Sequence, residues 1–280
     1  MTTHPFENVT HVASLGPVLD RLGTVFRTFD EQDSGCVSYG LLASGQRWFV
    51  KTSSTRKGIS SLRRAVSFHQ RVSHPAIVPL VHSFTTGDGL VLVHPWMSGE
   101  VLYHPTLSRR GGRAAPGSPM ARFRAQPLAR IHTALDSLLS AHLAVEEAGF
   151  VAVDLYDGCM FYDFDEHRMM LCDMDEYRAG PFVLEADRLP GSTRYMAPEE
   201  FVRGAVIDIR TTVFAGPGAP SAPGRRRPGE AVARDGRATG GRRDGDLRRP
   251  GAPLPLGPVP RRGLAIGRTP PRVGPASAVT

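Results

Sequence analysis

The composition of the chain changes abruptly at about Gly216. From there to the C-terminus, 65 residues include 13 Gly and 12 Pro, and no Phe, Trp or Tyr. Such a stretch cannot bury enough apolar area to offset the entropy of ordering it. Residues 216–280 are therefore expected to be disordered, and a folded domain must lie before them. The stretch also carries 13 Arg against Glu230, Asp235, Asp244 and Asp246, a balance of +9. The whole chain is +7, so the first 215 residues come to −2. The basic balance belongs to the tail and does not describe a basic nucleic-acid-binding domain. Scattered Arg pairs without aromatic residues offer no base-stacking surface, so nucleic acid is not the expected partner.

The three cysteines, Cys36, Cys159 and Cys172, form no C-x-x-C pair. A disulfide framework or zinc site is not expected, and a reducing compartment fits. No apolar run approaches the roughly 18–20 residues a membrane span needs, and Met1–Pro5 opens no signal peptide. The expectation is a soluble, cytoplasmic protein without a membrane partner.

Apolar spacing over residues 11–28 predicts a leading helix, making 1–28 a helical extension. Cys36–Leu42 and Arg47–Thr52 read as strands around a Ser44-Gly45 turn. Residues 59–72 have a helix period. Ile77–Phe84 and Leu90–His94 read as strands around Gly87-Asp88-Gly89. Residues 105–120 read as a mobile loop. A long amphipathic helix follows over Ile131–Glu147, ended by Gly149. Cys159–Phe164 and Met169–Cys172 read as a hairpin.

Five short motifs stand in order along this frame: Phe49-Val50-Lys51, Ser73-His74-Pro75-Ala76-Ile77-Val78, Asp154-Leu155, Cys172-Asp173, and Gly191 through Glu200 (GSTRYMAPEE). In this order and at these gaps they resemble the protein kinase family, of a bacterial, atypical Ser/Thr-directed kind. The resemblance covers about residues 25–215. It implies an α+β, two-lobed fold: an antiparallel-sheet small lobe over 29–96, an incomplete helical large lobe over 97–215, and the tail. It implies Mg²⁺ and ATP as cofactors and a protein Ser/Thr hydroxyl as phosphoryl acceptor. After Thr212-Val213-Phe214-Ala215 the family's helical pattern stops. The tail is expected to be the product of a truncated or shifted reading frame.

Phosphoryl transfer needs phosphates held, charge neutralised and a hydroxyl aimed. Lys51 is one of only two lysines in an Arg-biased chain. It matches the family's phosphate-holding strand lysine. Gly35 and Val37 are what remains of the phosphate-covering loop, in which Asp30 and Asp33 would repel phosphate. By resemblance, Val93 and Trp96 border the adenine and Glu100 the ribose. Asp154 takes the place of the base. Asp173, with Asp175 two residues on, takes the place of the metal ligand, and Met174 packs inward. Ser192, Ala197, Pro198 and Glu199 belong to the activation segment, and Ser192 leans the acceptor to Ser/Thr.

Several positions depart from the family. Ala65 stands where a Glu would pair with Lys51, and Ser34–Gly87 contains no acidic residue; His69 or Gln70 would be left to orient Lys51. Tyr156 replaces a Lys. Cys159 replaces an Asn, and a thiol is a poor ligand for Mg²⁺; Asp157 could compensate. These departures keep open a catalytically impaired pseudokinase that binds nucleotide or protein, and a non-functional fragment with exposed apolar surface.

Overall fold

Residues 4–30, 34–103 and 112–216 are described by the structure, a computed structural model. The expected tail, from residue 217 onward, lies outside the described residues, as do 31–33 of the phosphate-covering stretch and 104–111 of the expected loop.

The first half builds a six-stranded sheet. Its strands are β1 (His11–Val12), β2 (Thr24–Phe29), β3 (Val37–Ala43), β4 (Gln46–Ser53), β5 (His82–Thr86) and β6 (Leu90–Pro95), in the order β1-β5-β6-β4-β3-β2. Only the β1–β5 pair is parallel. Ser44 and Gly45 both have positive φ, the backbone that a two-residue hairpin between β3 and β4 requires. Helix α1 (Gly16–Leu22) lies between β1 and β2, and α2 (Arg56–Arg71) follows β4. Thr55 caps α2 by accepting from the Gly58 N–H, and Leu62, Ala65 and Phe68 form its buried stripe.

The expected 11–28 helix is not present as one element. Gly23 ends α1, and a Cβ there would lie 2.0 Å from the Leu42 carbonyl oxygen. The chain therefore runs against β3 and continues as an edge strand. Nor is this segment a separate extension: Phe6, Val18 and Leu19 complete the core on one sheet face with Leu41, Trp48 and Val50. The Ile77–Phe84 strand is also shorter than expected. It begins at His82, and Ile77 makes an isolated bridge to Leu171.

The second half contains β7 (Glu100–Val101), α3 (Pro119–Arg124), α4 (Leu128–Glu147), β8 (Phe150–Val151), the hairpin β9 (Met160–Asp163) and β10 (Arg168–Leu171), β11 (Arg178–Ala179), β12 (Phe182–Val183), β13 (Val206–Ile207) and α5 (Ile209–Ala215). Part of the expected 105–120 loop is thus ordered: Gly112–Ala114 makes a 3₁₀ turn, and Ser118 caps α3 by accepting from the Ala121 N–H. The larger core packs Leu138, Ala141 and Val145 of α4 against Phe68, Tyr162 and Leu171. Leu139 and Leu143 of α4 and Val213 of α5 are exposed. The architecture is mixed α+β. Among the described residues, no helix is long and apolar enough to cross a membrane.

Candidate functional site

Strand period decides which side chains share the face that carries Lys51. In register, Lys51 of β4 stands opposite Ser38 of β3 and Leu92 of β6. Residues opposite one another point the same way. Ser38, Gly40, Phe49, Leu92 and His94 therefore share the face of Lys51. Val93 stands opposite Val50 and Val37 opposite Thr52. Both are on the reverse face, where Val93 is fully buried in the core with Phe6 and Trp48. This corrects the expectation that Val37 and Val93 border a ligand beside Lys51; His94 occupies that side instead.

Lys51 is 7% exposed. Its Nζ lies 2.7 Å from Asp173 Oδ1 and 2.6 Å from Asp175 Oδ2. The acidic partner missing from α2 thus comes from more than 120 residues away. Burial opposes the ammonium, but the two carboxylates outweigh it and raise its pKa well above the usual lysine value. Lys51 holds Asp173 below the ordinary carboxylate range. Burial pushes Asp175 up, partly offset by Lys51. Asp175 thus faces the ammonium that a Glu on α2 was expected to face. Helix α2 is tied to the same turn with its charges reversed: Arg64 pairs with Glu176 at 2.5 Å, and Ser61 donates to Glu176 at 2.7 Å. Arg64 Nε also donates to the Asp175 carbonyl. His69 does not orient Lys51; its ring packs edge-on to His94 at 5.7 Å.

Asp173 and Asp154 both sit in the left-handed region, with φ of 64° and 60°. Side chains other than glycine seldom do so, and such positions concentrate at functional sites. Asp154 borders a closed gap, too tight to admit a water, together with Ala152, Ser192, Tyr195, Met196 and Glu200. Burial, with Asp173 and Glu176 adding like charge, pushes its pKa up to about 7. The loop carrying it is anchored from α5: the Ala152 N–H donates to Thr212 Oγ1 at 3.0 Å. Met174 is buried in the larger core, as expected. Cys159, 1% exposed, donates its thiol to the Asp154 carbonyl. Asp157 does not compensate for Cys159, because Arg113 holds both oxygens of its carboxylate.

The remaining expected residues are more dispersed. Gly35 has φ of +73°, and a Cβ there would meet Thr55 Oγ1 at 2.8 Å; its carbonyl accepts from Ser53. Trp96 stacks edge-on with Phe26 at 4.9 Å, and its ring and that of Phe29 lie 6.3 and 6.0 Å from Phe49. Trp96 also lines an open cleft of about 700 Å³ with Arg47, Trp48, Pro95 and Met97, which Lys51 does not reach. Glu100 pairs with Arg122. In the stretch expected as the activation segment, Pro198 opens a 3₁₀ turn, the buried Ala197 N–H donates to Glu200, and Glu199 accepts from Thr211. Tyr177 is fully buried and hydrogen-bonds His142, so it is closed to modification.

Phosphate oxygens fit Lys51 by charge, and the half-buried rings of Phe29, Phe49 and Trp96 offer faces to a planar base. For Mg²⁺ the fit is narrower. Among the described residues no three His, Cys, Asp or Glu side chains gather as a metal-holding group. Asp173, 46% exposed at its side chain, supplies one hard oxygen donor. Mg²⁺ is commonly held by one or two carboxylates together with substrate phosphates, so one ion fits and a second at Cys159 does not. Sequence reasoning missed Glu176, Arg113 and Tyr195. No family model matches the chain, and no curated protein matches it significantly.

Proposed function

We propose that the chain is a protein kinase-like domain that transfers the ATP γ-phosphoryl group to a protein Ser or Thr hydroxyl. The sheet would serve as small lobe, and residues 97–215 as an incomplete large lobe. One observation carries the reading: Lys51 meets Asp173 across 122 residues of sequence, with Asp154 near enough to feel the charge of both. A buried cation beside two acidic groups of different pKa has the parts that phosphoryl transfer uses.

In this reading Lys51 would exchange Asp173 for phosphate oxygens. Asp173, released, would hold one Mg²⁺, whose charge would neutralise phosphate. Asp175 keeps Lys51 aimed. Asp154, with a pKa near 7, accepts the proton of the attacking hydroxyl, which is the range a general base needs at neutral pH. Ser192 lines the gap at Asp154, which would have to open for the acceptor to enter. Free thiols at Cys36, Cys159 and Cys172 fit a reducing, cytoplasmic setting.

A second reading, nucleotide binding without transfer, is favoured by Cys159, a buried thiol where a second hard donor would stand. Incubation of the full chain with labelled ATP and Mg²⁺, beside Asp154→Asn and Lys51→Met, separates the two. Label incorporated by the wild type and lost in both variants supports transfer. No incorporation, with ATP still bound, rejects transfer in favour of the binding module.

A further inference from the structure

Helix α4 carries two apolar stripes. The inner one, Ala134, Leu138, Ala141 and Val145, packs into the larger core. The outer one runs through Leu128, His132, Leu135, Leu139, Leu143 and Glu146. Its steps of four, three, four, four and three residues average one helical turn each, so the six side chains line one side of the helix. Leu128, Leu139 and Leu143 are 67%, 52% and 60% exposed, and Leu135 is only partly covered by the core. Leucines scattered singly over a surface are ordinary. Three of them aligned on one side of a 20-residue helix, about 30 Å long, make a continuous face.

The order of side chains along this stripe is complementary to its own reverse. Turned end for end about Leu139, the stripe sets Leu139 on Leu139, Leu135 on Leu143, and His132 on Glu146. His132 and Glu146 are both exposed, and among the described residues neither side chain has a hydrogen bond or ion pair. A second copy would give each of them a partner of opposite charge whenever the ring is protonated. A parallel pairing would instead set His132 on His132 and Glu146 on Glu146. Asp136 and Glu147, also exposed, edge the stripe on the side away from the core and leave it a polar rim.

We propose that the outer stripe of α4 is a homodimer surface, on which a second copy of this chain packs its own α4 antiparallel about a two-fold axis at Leu139. The same patch then serves both copies, so the contact closes at two and does not propagate. The proposal concerns assembly and stands apart from whether phosphoryl transfer occurs.

Sedimentation equilibrium of the full chain is the test. The wild type should be dimeric at about 100 µM and dissociate in the micromolar range of a small interface. Leu139→Glu sets like charges at the axis and should be monomeric at the same concentration. Its helix content by circular dichroism should be unchanged, because Leu139 lies outside the core. His132→Glu and Glu146→His should each weaken the dimer by about tenfold, and both changes together should restore it. A wild-type monomer at about 100 µM, or a dimer that Leu139→Glu leaves intact, overturns the proposal whatever else the face binds. Species larger than a dimer overturn the closed two-fold, and a double variant no tighter than the single ones overturns the antiparallel register. If Leu139→Glu fails to fold, a short bismaleimide should link two copies of Leu139→Cys. It should not link two copies of Leu128→Cys, which the proposed register holds about 33 Å apart along the helix axis. No link through position 139, or equal linking at both positions, overturns the proposal.

Discussion

Replacing Lys51 by Met strips Asp173 and Asp175 of their shared ammonium while keeping the apolar stem. Removing one partner of a buried ion pair costs about 3–5 kcal/mol, because the other charge is left uncompensated. Asp175 is 8% exposed and bears the larger share of that cost. Asp173 has 46% of its side chain in water, which screens its share. The expected loss at pH 7 is therefore about 2–3 kcal/mol. It should also depend on pH. Burial already raises Asp175, and loss of Lys51 removes the attraction that holds it down. The native variant then binds protons that its unfolded chain does not. Stability accordingly rises as pH falls, and the deficit should narrow by about 1 kcal/mol between pH 7 and pH 5. Urea unfolding followed by tryptophan emission at both pH values reads the two numbers. A loss below about 0.5 kcal/mol at pH 7, or one unchanged at pH 5, refutes the argument that Lys51 compensates buried carboxylates.

Label transfer should rise with pH through a midpoint near 7, because Asp154 works deprotonated and its carboxyl is pushed up to about 7; in Asp154→Asn the rate should fall about 10²-fold or more and lose that limb. Thr212→Val removes the hydroxyl that accepts from the buried Ala152 N–H, so urea unfolding should show a loss of about 1–3 kcal/mol. Gly40→Ala sets a Cβ 2.6 Å from the Phe26 ring and 2.9 Å from Trp96, and should cost about 1–3 kcal/mol with a shift in tryptophan emission. Tyr177→Phe should cost about 1 kcal/mol in the same assay, by leaving the His142 ring without its hydroxyl partner.

The parts of the fold legible in sequence were those set by local period. Alternation placed β3 and β4, and helical spacing placed α2 and α4 within a turn of their ends. The 11–28 helix misled because Val12, Leu15, Leu19 and Leu22 fit a helix as far as Gly23, while the close approach of Gly23 to Leu42 is a tertiary fact. Motif position put Val93 and Val37 beside Lys51, whereas the period of two turns both away. The site's most telling contact was the least legible. A window around Lys51 contains no acid, and its partners arrive from Asp173 and Asp175 only once α2 and the turn they occupy are packed together. Arg113 and Asp157, 44 residues apart, meet for the same reason.

The most direct test of the site is a calorimetric titration of the full chain with ATP in the presence of Mg²⁺, beside Lys51→Met at a temperature where both are folded. Saturable binding by the wild type, weakened at least tenfold in the variant, is the predicted result. No binding by the wild type, or equal binding by both, would contradict a phosphate site at Lys51.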